Sequence, residues 1–258
     1  MNGTYNAELV FLSVVVAMAA SYAALDLAGR VTAASAHSTR LWLLGGAFAM
    51  GAGIWSMHFI GMLAFRLPIR MAYDPVITAA SLVIAIVTSG FALAVVGRLA
   101  VVSATEVDPP ILIAGGVIMG AGICGMHYTG MAAMRMAPPI DYDPLLFSAS
   151  MLIAVGASIA ALWLAFTLRA ADAGKRVLLR IAAAAVMGLA IAGMHYTAMA
   201  AALFAPNAIC AVSDSINVEN RELAHSIAAM VLALLGLSVL VSVADARASR
   251  TAAMPRLQ

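Results

Sequence analysis

Apolar side chains run along this chain in long, nearly unbroken stretches, and the polar and charged residues gather in the gaps between them. Stretches of about 20 mostly apolar residues, the length that crosses a hydrocarbon core of roughly 30 Å, lie at about 8–28, 41–64, 75–96, 111–133, 144–167, 180–203 and 223–244. The pattern predicts an all-α, polytopic membrane helix bundle of seven transmembrane helices. One domain over residues 1–246 and a short cytoplasmic tail, 247–258, account for the whole chain, so no soluble domain is expected.

Composition agrees: of 258 residues, 64% are hydrophobic and 10% charged, with mean hydropathy +1.01, outside the range of soluble domains. The first span is not read as a secretory signal, because Met1 to Glu8 lack a positive leader region. Cys124 falls inside a span and Cys210 in the loop after the sixth, so a disulfide between them is not expected. A net charge of +2 with no basic cluster among aromatics argues against a nucleic-acid partner.

Lys and Arg mark the cytoplasmic side of a membrane protein. The connections 1/2, 3/4 and 5/6 and the tail hold Arg30, Arg40, Arg98, Arg169, Lys175, Arg176, Arg180, Arg247, Arg250 and Arg256; the opposite set holds Arg66, Arg70, Arg135 and Arg221. This asymmetry places the C-terminus in the cytoplasm and the N-terminus outside. Asp214, Glu219 and Glu222 beside Arg221 fit an outer loop.

Three segments align without a gap: Met50 to Met62, Met119 to Met131 and Met187 to Met199. Each contains a Met-His pair, Met57-His58, Met126-His127 and Met194-His195, and the histidines are 69 and 68 residues apart. That period is two spans and two loops, so the bundle is built from three helical-hairpin repeats plus one extra helix. Tyr73-Asp74-Pro75 and Tyr142-Asp143-Pro144 form a weaker echo, with Asp as N-cap and Pro at the first helical position; the third repeat lacks it. His58 follows Arg40 by 18 residues, about 27 Å of helix, which predicts one layer of histidines near the outer face.

On a helix, His58 and Met62, His127 and Met131, and His195 and Met199 are i,i+4 pairs, so each motif helix presents an imidazole beside a thioether. Met57, Met126 and Met194 are rotated by about 100° from their histidines, so they flank the site or pack against a neighbour. Gly53, Gly61, Gly122, Gly130, Ala190 and Ala198 near that face permit close helix approach. Imidazole with thioether suits copper, above all Cu(I), since no carboxylate lies within the motif. An isolated intramembrane His often only bonds a neighbouring helix, and Met often only fills gaps; three copies at matched depth favour metal binding. For Met50, Met119 and Met187, deeper by about 12 Å, packing is preferred. Tyr128 and Tyr196 suit an interfacial belt or a supporting position around the ligands. His37 and His225 read as ordinary surface residues.

Met126-His127-Tyr128-Thr129 and Met194-His195-Tyr196-Thr197, with Met57-His58-Phe59-Ile60 as a degenerate first copy, resemble the signature of the MHYT-domain family. The resemblance extends over nearly the whole chain. It implies a sensory domain of the bacterial cytoplasmic (inner) membrane that senses a diatomic gas, O₂, CO or NO, and binds copper through His58, Met62, His127, Met131, His195 and Met199, with Met57, Met126 and Met194 as secondary ligand candidates. It also implies an output: members of that family are often fused to cyclic-di-GMP turnover domains or histidine kinases. Since the chain ends at Gln258, the output is expected from a cytoplasmic partner protein or a missing C-terminal domain.

Two other functions compete. A copper transporter is suggested by the deeper methionine layer and opposed by the apparent lack of charged residues well inside the spans. A haem-type redox protein with axial histidines would leave the co-facing methionines unexplained. No enzymatic activity is expected, because no nucleophile with its base, phosphate-cradling loop or paired-carboxylate site is present.

Overall fold

A computed structural model describes residues 1, 3–33, 36–103, 106–169, 173–211 and 220–253. Asp214, Glu219 and residues 254–258, with Arg256, lie outside them, as do the side chains of His37, Lys175, Arg176 and Arg250. Seven helices are long and apolar enough to cross a membrane: α1 Ala7–Ala33, α2 Ala36–Ala64, α3 Pro75–Val102, α4 Pro109–Ala132, α5 Pro144–Leu168, α6 Ala173–Ala201 and α7 Asn220–Ala253. Most outrun the apolar stretches that announce them, because the helix continues through the polar residues beyond the hydrocarbon. Thus α7 continues past residue 246 into the segment expected as a separate tail.

Helices α1 to α6 form a closed ring in which each packs on its chain neighbours and α6 packs back on α1, while α7 lies outside across α1 and α2. The ring repeats itself three times, with α1–α2, α3–α4 and α5–α6 as the units. Lipid gives little hydrophobic drive for helices to associate, so small residues and shape must hold the ring together. Gly51, Gly120 and Gly188 do this at equivalent places. A β-carbon there would stand 2.6, 2.7 and 2.8 Å from Ile86, Val155 and Met18, backbone atoms included, so each motif helix presses against the backbone of the next odd-numbered helix.

The starts of the odd helices show why the repeat closes. Asp74 and Asp143 accept bonds from the second and third backbone N–H groups of α3 and α5 at 2.9–3.1 Å, with Pro75 and Pro144 at the first turn. Caps of this kind stabilise a helix by about 1 kcal/mol. The third copy expected to be missing is at the N-terminus: Tyr5-Asn6 opens α1, and Asn6 Oδ1 accepts from the Leu9 N–H at 3.2 Å. In all three units the capping residue also donates its own N–H to the carbonyl near the end of the motif helix: Asn6 to Ala64 at 2.9 Å, Asp74 to Ala133 at 2.7 Å and Asp143 to Ala201 at 2.8 Å. Three two-residue antiparallel ladders trim this end of the bundle, pairing β1 Thr4–Tyr5 with β2 Phe65–Arg66, β3 Met136–Ala137 with β6 Ile209–Cys210, and β4 Asp141–Tyr142 with β5 Ala202–Leu203.

The opposite end corrects one expectation. Asp26 and Arg180 lie within α1 and α6, both buried, and form a salt bridge of 2.6 Å. They sit at the margins of the apolar stretches but, with the helices extended, become interior to them. Ser242 of α7 donates to the other Asp26 oxygen, and Arg30 donates to Ser242 at 2.6 Å and reaches Asp245 at 3.5 Å. One polar junction therefore ties α1, α6 and α7.

Candidate metal centre

His58, His127 and His195 lie five or six residues before the ends of α2, α4 and α6, about 8–9 Å inside them. Their Nδ1 atoms converge on the axis of the ring: His58 to His127 3.0 Å, His58 to His195 3.2 Å and His127 to His195 3.3 Å. All three side chains are at most 1% exposed. The rings meet edge to face, with centroids 4.7–5.2 Å apart.

This contact is built by the small residues of the motif. A β-carbon on Gly61 would stand 2.3 Å from His195 Nε2, and one on Gly130 2.2 Å from His58 Nε2. In these two copies the glycine one residue before the i+4 methionine thus makes room for the histidine of another motif helix. The corresponding residue in the third copy is Ala198.

The three imidazoles cannot satisfy one another. A neutral imidazole carries one N–H and one lone pair. Nitrogens whose lone pairs all face the axis repel, three N–H groups would clash, and a mixed set completes at most one good N–H to N pair. Meanwhile all three Nε2 atoms are buried with no hydrogen-bond partner. Unmet buried polar groups cost about 1–3 kcal/mol each, so a cation shared by three Nδ1 lone pairs removes the central conflict. The spacing fits: a tetrahedral ion with metal–nitrogen bonds of about 2.0–2.1 Å has ligands about 3.3 Å apart. Among the described residues these are the group of His, Cys, Asp or Glu whose ligand atoms, all within 4.8 Å of one another, suit a metal.

The co-facing methionines also come together. Met62, Met131 and Met199 are buried in one cluster with Met134, Met136, Phe65 and Phe204, at the ladder end of the bundle. Met57 and Met194 belong to the main core, and Met126 is buried as well. Tyr128 and Tyr196 bond serines of adjacent helices: Tyr128 to Ser150 at 2.8 Å and Tyr196 to Ser13 at 2.7 Å. The equivalent Phe59 has no hydroxyl, and Trp55 takes over, donating its indole N–H to Ser81 at 3.0 Å. Tyr5, Tyr73 and Tyr142 pack on Tyr196, Phe59 and Tyr128 with centroids 5.1–5.7 Å apart. A shell of aromatics bonded to serines thus fixes the motif helices around the histidines. The serines were missed in the sequence, though Ser13, Ser81 and Ser150 stand at the same offsets of 68 and 69 residues. His225 is half exposed, as expected, and bonds Glu8 at 3.1 Å, joining α7 to α1.

A family model described as "MHYT: Bacterial signalling protein N terminal repeat" matches residues 1–46, 51–106 and 120–178. The bifunctional diguanylate cyclase/cyclic di-GMP phosphodiesterase MucR of Pseudomonas aeruginosa is 50% identical over 244 residues, 95% of this chain and 34% of that protein. The cyclic di-GMP phosphodiesterase NbdA of the same organism is 42% identical over 200 residues, 78% of this chain and 25% of its own length. Signaling protein YkoW of Bacillus subtilis is 38% identical over 204 residues, 78% of this chain and 24% of that one. The chain thus spans about a third or less of these relatives. No solved structure matches it.

Proposed function

Since this chain belongs to the MHYT family and is a multi-pass membrane signalling domain, we propose that it senses a diatomic gas, O₂, CO or NO, at a copper ion held by His58, His127 and His195. The convergence of three Nδ1 atoms from three helices carries this reading. Copper held by the three imidazoles would supply a soft centre able to coordinate the gas. Met62, Met131 and Met199 form the soft, water-excluding cover, and any further thioether ligand comes from this layer; Met57, Met126 and Met194 serve packing first. Tyr128, Tyr196 and Trp55, through their serines, hold the three imidazoles in register.

The protein's part in signalling is to convert a change at the axis into a change of helix packing. His58 rests against α4 at Gly130 and His195 against α2 at Gly61, so drawing the rings together or apart moves the motif helices against one another. Ring helices α1 and α6 meet α7 at Asp26, Arg180 and Ser242, the route by which the shift reaches the output. The basic residues support an inner bacterial membrane with the N-terminus outside and the C-terminus in the cytoplasm. MucR and NbdA are named for cyclic di-GMP turnover; an output of that class, fused or separate, is the partner we assign to this domain.

Two competing readings fit less well. Haem with two axial histidines needs the porphyrin between the rings, whereas these three meet at one point. Transport through the axis is opposed by Leu25, Leu93 and Leu162, three buried apolar residues at equivalent places that line it toward its other end. The deciding experiment is elemental analysis of purified protein after copper loading, for wild type and for His58→Ala, His127→Ala and His195→Ala. Stoichiometric copper lost in the variants is expected; copper retained in all three would overturn the assignment.

A further inference from the structure

Below the histidines the ring encloses an apolar cavity of about 40 Å³, where about 10–15 Å³ of such space admits one water. Met194, the neighbour of His195, lines it, and so do Met50, Met119 and Met187. These three precede the histidines by eight residues, about 12 Å of helix. A second space of about 30 Å³ continues beyond them to Leu25, Leu93 and Leu162. Two hydroxyls face the first cavity: Ser21 of α1 and Ser158 of α5, 2% and 1% exposed, each without a hydrogen-bond partner.

We propose that this axial cavity is a binding site for a small uncharged molecule of diatomic-gas size, waiting beneath the three histidines. Its lining is apolar apart from the two hydroxyls, and apolar cavities stay dry and take up molecules such as xenon. Two hydroxyls on different helices orient a weakly polar guest but leave a water short of its usual three bonds. Ala157 and Ala161 of α5 and Ile191 of α6 line the space and are also partly exposed on the bundle's surface. This seam opens toward hydrocarbon, where apolar gases concentrate. The site rests on the gas reading for its purpose but not for its existence.

Xenon tests it without copper. Crystals of the metal-free full chain under xenon pressure, together with xenon NMR in detergent, should show one saturable site between Ser21 and Ser158. Ala161→Phe should abolish it, His58→Ala should leave it unchanged, and Met119→Ala, which enlarges the space, should raise its occupancy. No xenon in the wild type, or ordered water in its place, would overturn the proposal. In copper-loaded protein, Ala161→Phe should slow CO association severalfold and leave equilibrium CO affinity unchanged; an unchanged rate would also count against it. Xenon bound by a protein that takes up no copper on loading would sink the histidine reading and leave the cavity standing.

Discussion

Nε2 of His58 occupies the space of a β-carbon on Gly130, 2.2 Å from where that atom would be. One hydrogen at the glycine of one motif helix therefore sets the position of the histidine on another. Gly130→Ala should displace His58, and Gly61→Ala should displace His195. Overpacking of this size typically costs about 1–3 kcal/mol, so the bundle should persist while metal binding is lost. Copper stoichiometry and thermal unfolding measured together check this; full copper in either variant contradicts the close-packed centre.

Among the methionines, Met131→Leu should weaken Cu(I) retention, since it removes a thioether from the layer over the histidines, whereas Met126→Leu should not. Both swaps nearly conserve volume and should cost less than about 1.5 kcal/mol in stability. Competition with a Cu(I) chelator separates the two; equal retention would confine Met131 to packing.

The Tyr196 to Ser13 bond closes the ring between its first and last helices. Tyr196→Phe should destabilise by about 1 kcal/mol, the net value of a typical hydrogen bond, and a cycle with Ser13→Ala should show the two losses to be shared. Additive losses would mean that the bond contributes nothing to closure.

At the other end, Asp26→Ala leaves Arg180 buried without its carboxylate. Removing one member of a buried pair costs about 3–5 kcal/mol, and the loss should fall first on the seam with α7. Protease susceptibility and a spin label on the exposed face of α7 should report loosening while the ladder end stays ordered. An α7 as tightly held as in the wild type would exclude this junction from the coupling route.

Asp74 makes one contribution to stability depend on pH. The N–H of Ile77 first, then that of Val76 and the guanidinium of Arg135, hold its carboxyl below the usual range. A carboxyl depressed on folding adds stability that is fully present above its unfolded pKa, about 3.9, and is lost as pH falls through the folded value. Melting curves of wild type and Asp74→Asn should therefore converge at acid pH and separate above it. Asn6, which caps α1 without a charge, should show no such dependence when changed to Ser.

The seven spans and the threefold repeat were legible because lipid demands long apolar runs and because His58, His127 and His195 recur at a fixed interval. The pairing of His with Met on one face followed from helical geometry. What was hidden came from two sources. The third start signal, Tyr5-Asn6, lacks both Asp and Pro and precedes the first span, so it does not look like its siblings until its N–H is seen on Ala64. The direction in which the histidines face, toward one another by Nδ1 with Nε2 against a glycine, depends on how helices pack across the ring, and no local pattern contains that. Asp26 and Arg180 appeared marginal because their partners lie far apart along the chain.

The closed ring has a consequence for the order in which the protein is made. Of the six ring helices α1 leaves the ribosome first, yet the hydroxyl of Ser13 has its Tyr196 partner, and the carboxylate of Asp26 its Arg180, only after α6 has been synthesised. Until then the earliest helix sits in the bilayer with one flank unfinished, and a nascent chain interrupted before α6 holds two of the three histidines and no complete centre. The cluster of three histidines thus forms only with the last member of the ring, so the geometry of the axis doubles as a check that the ring is complete.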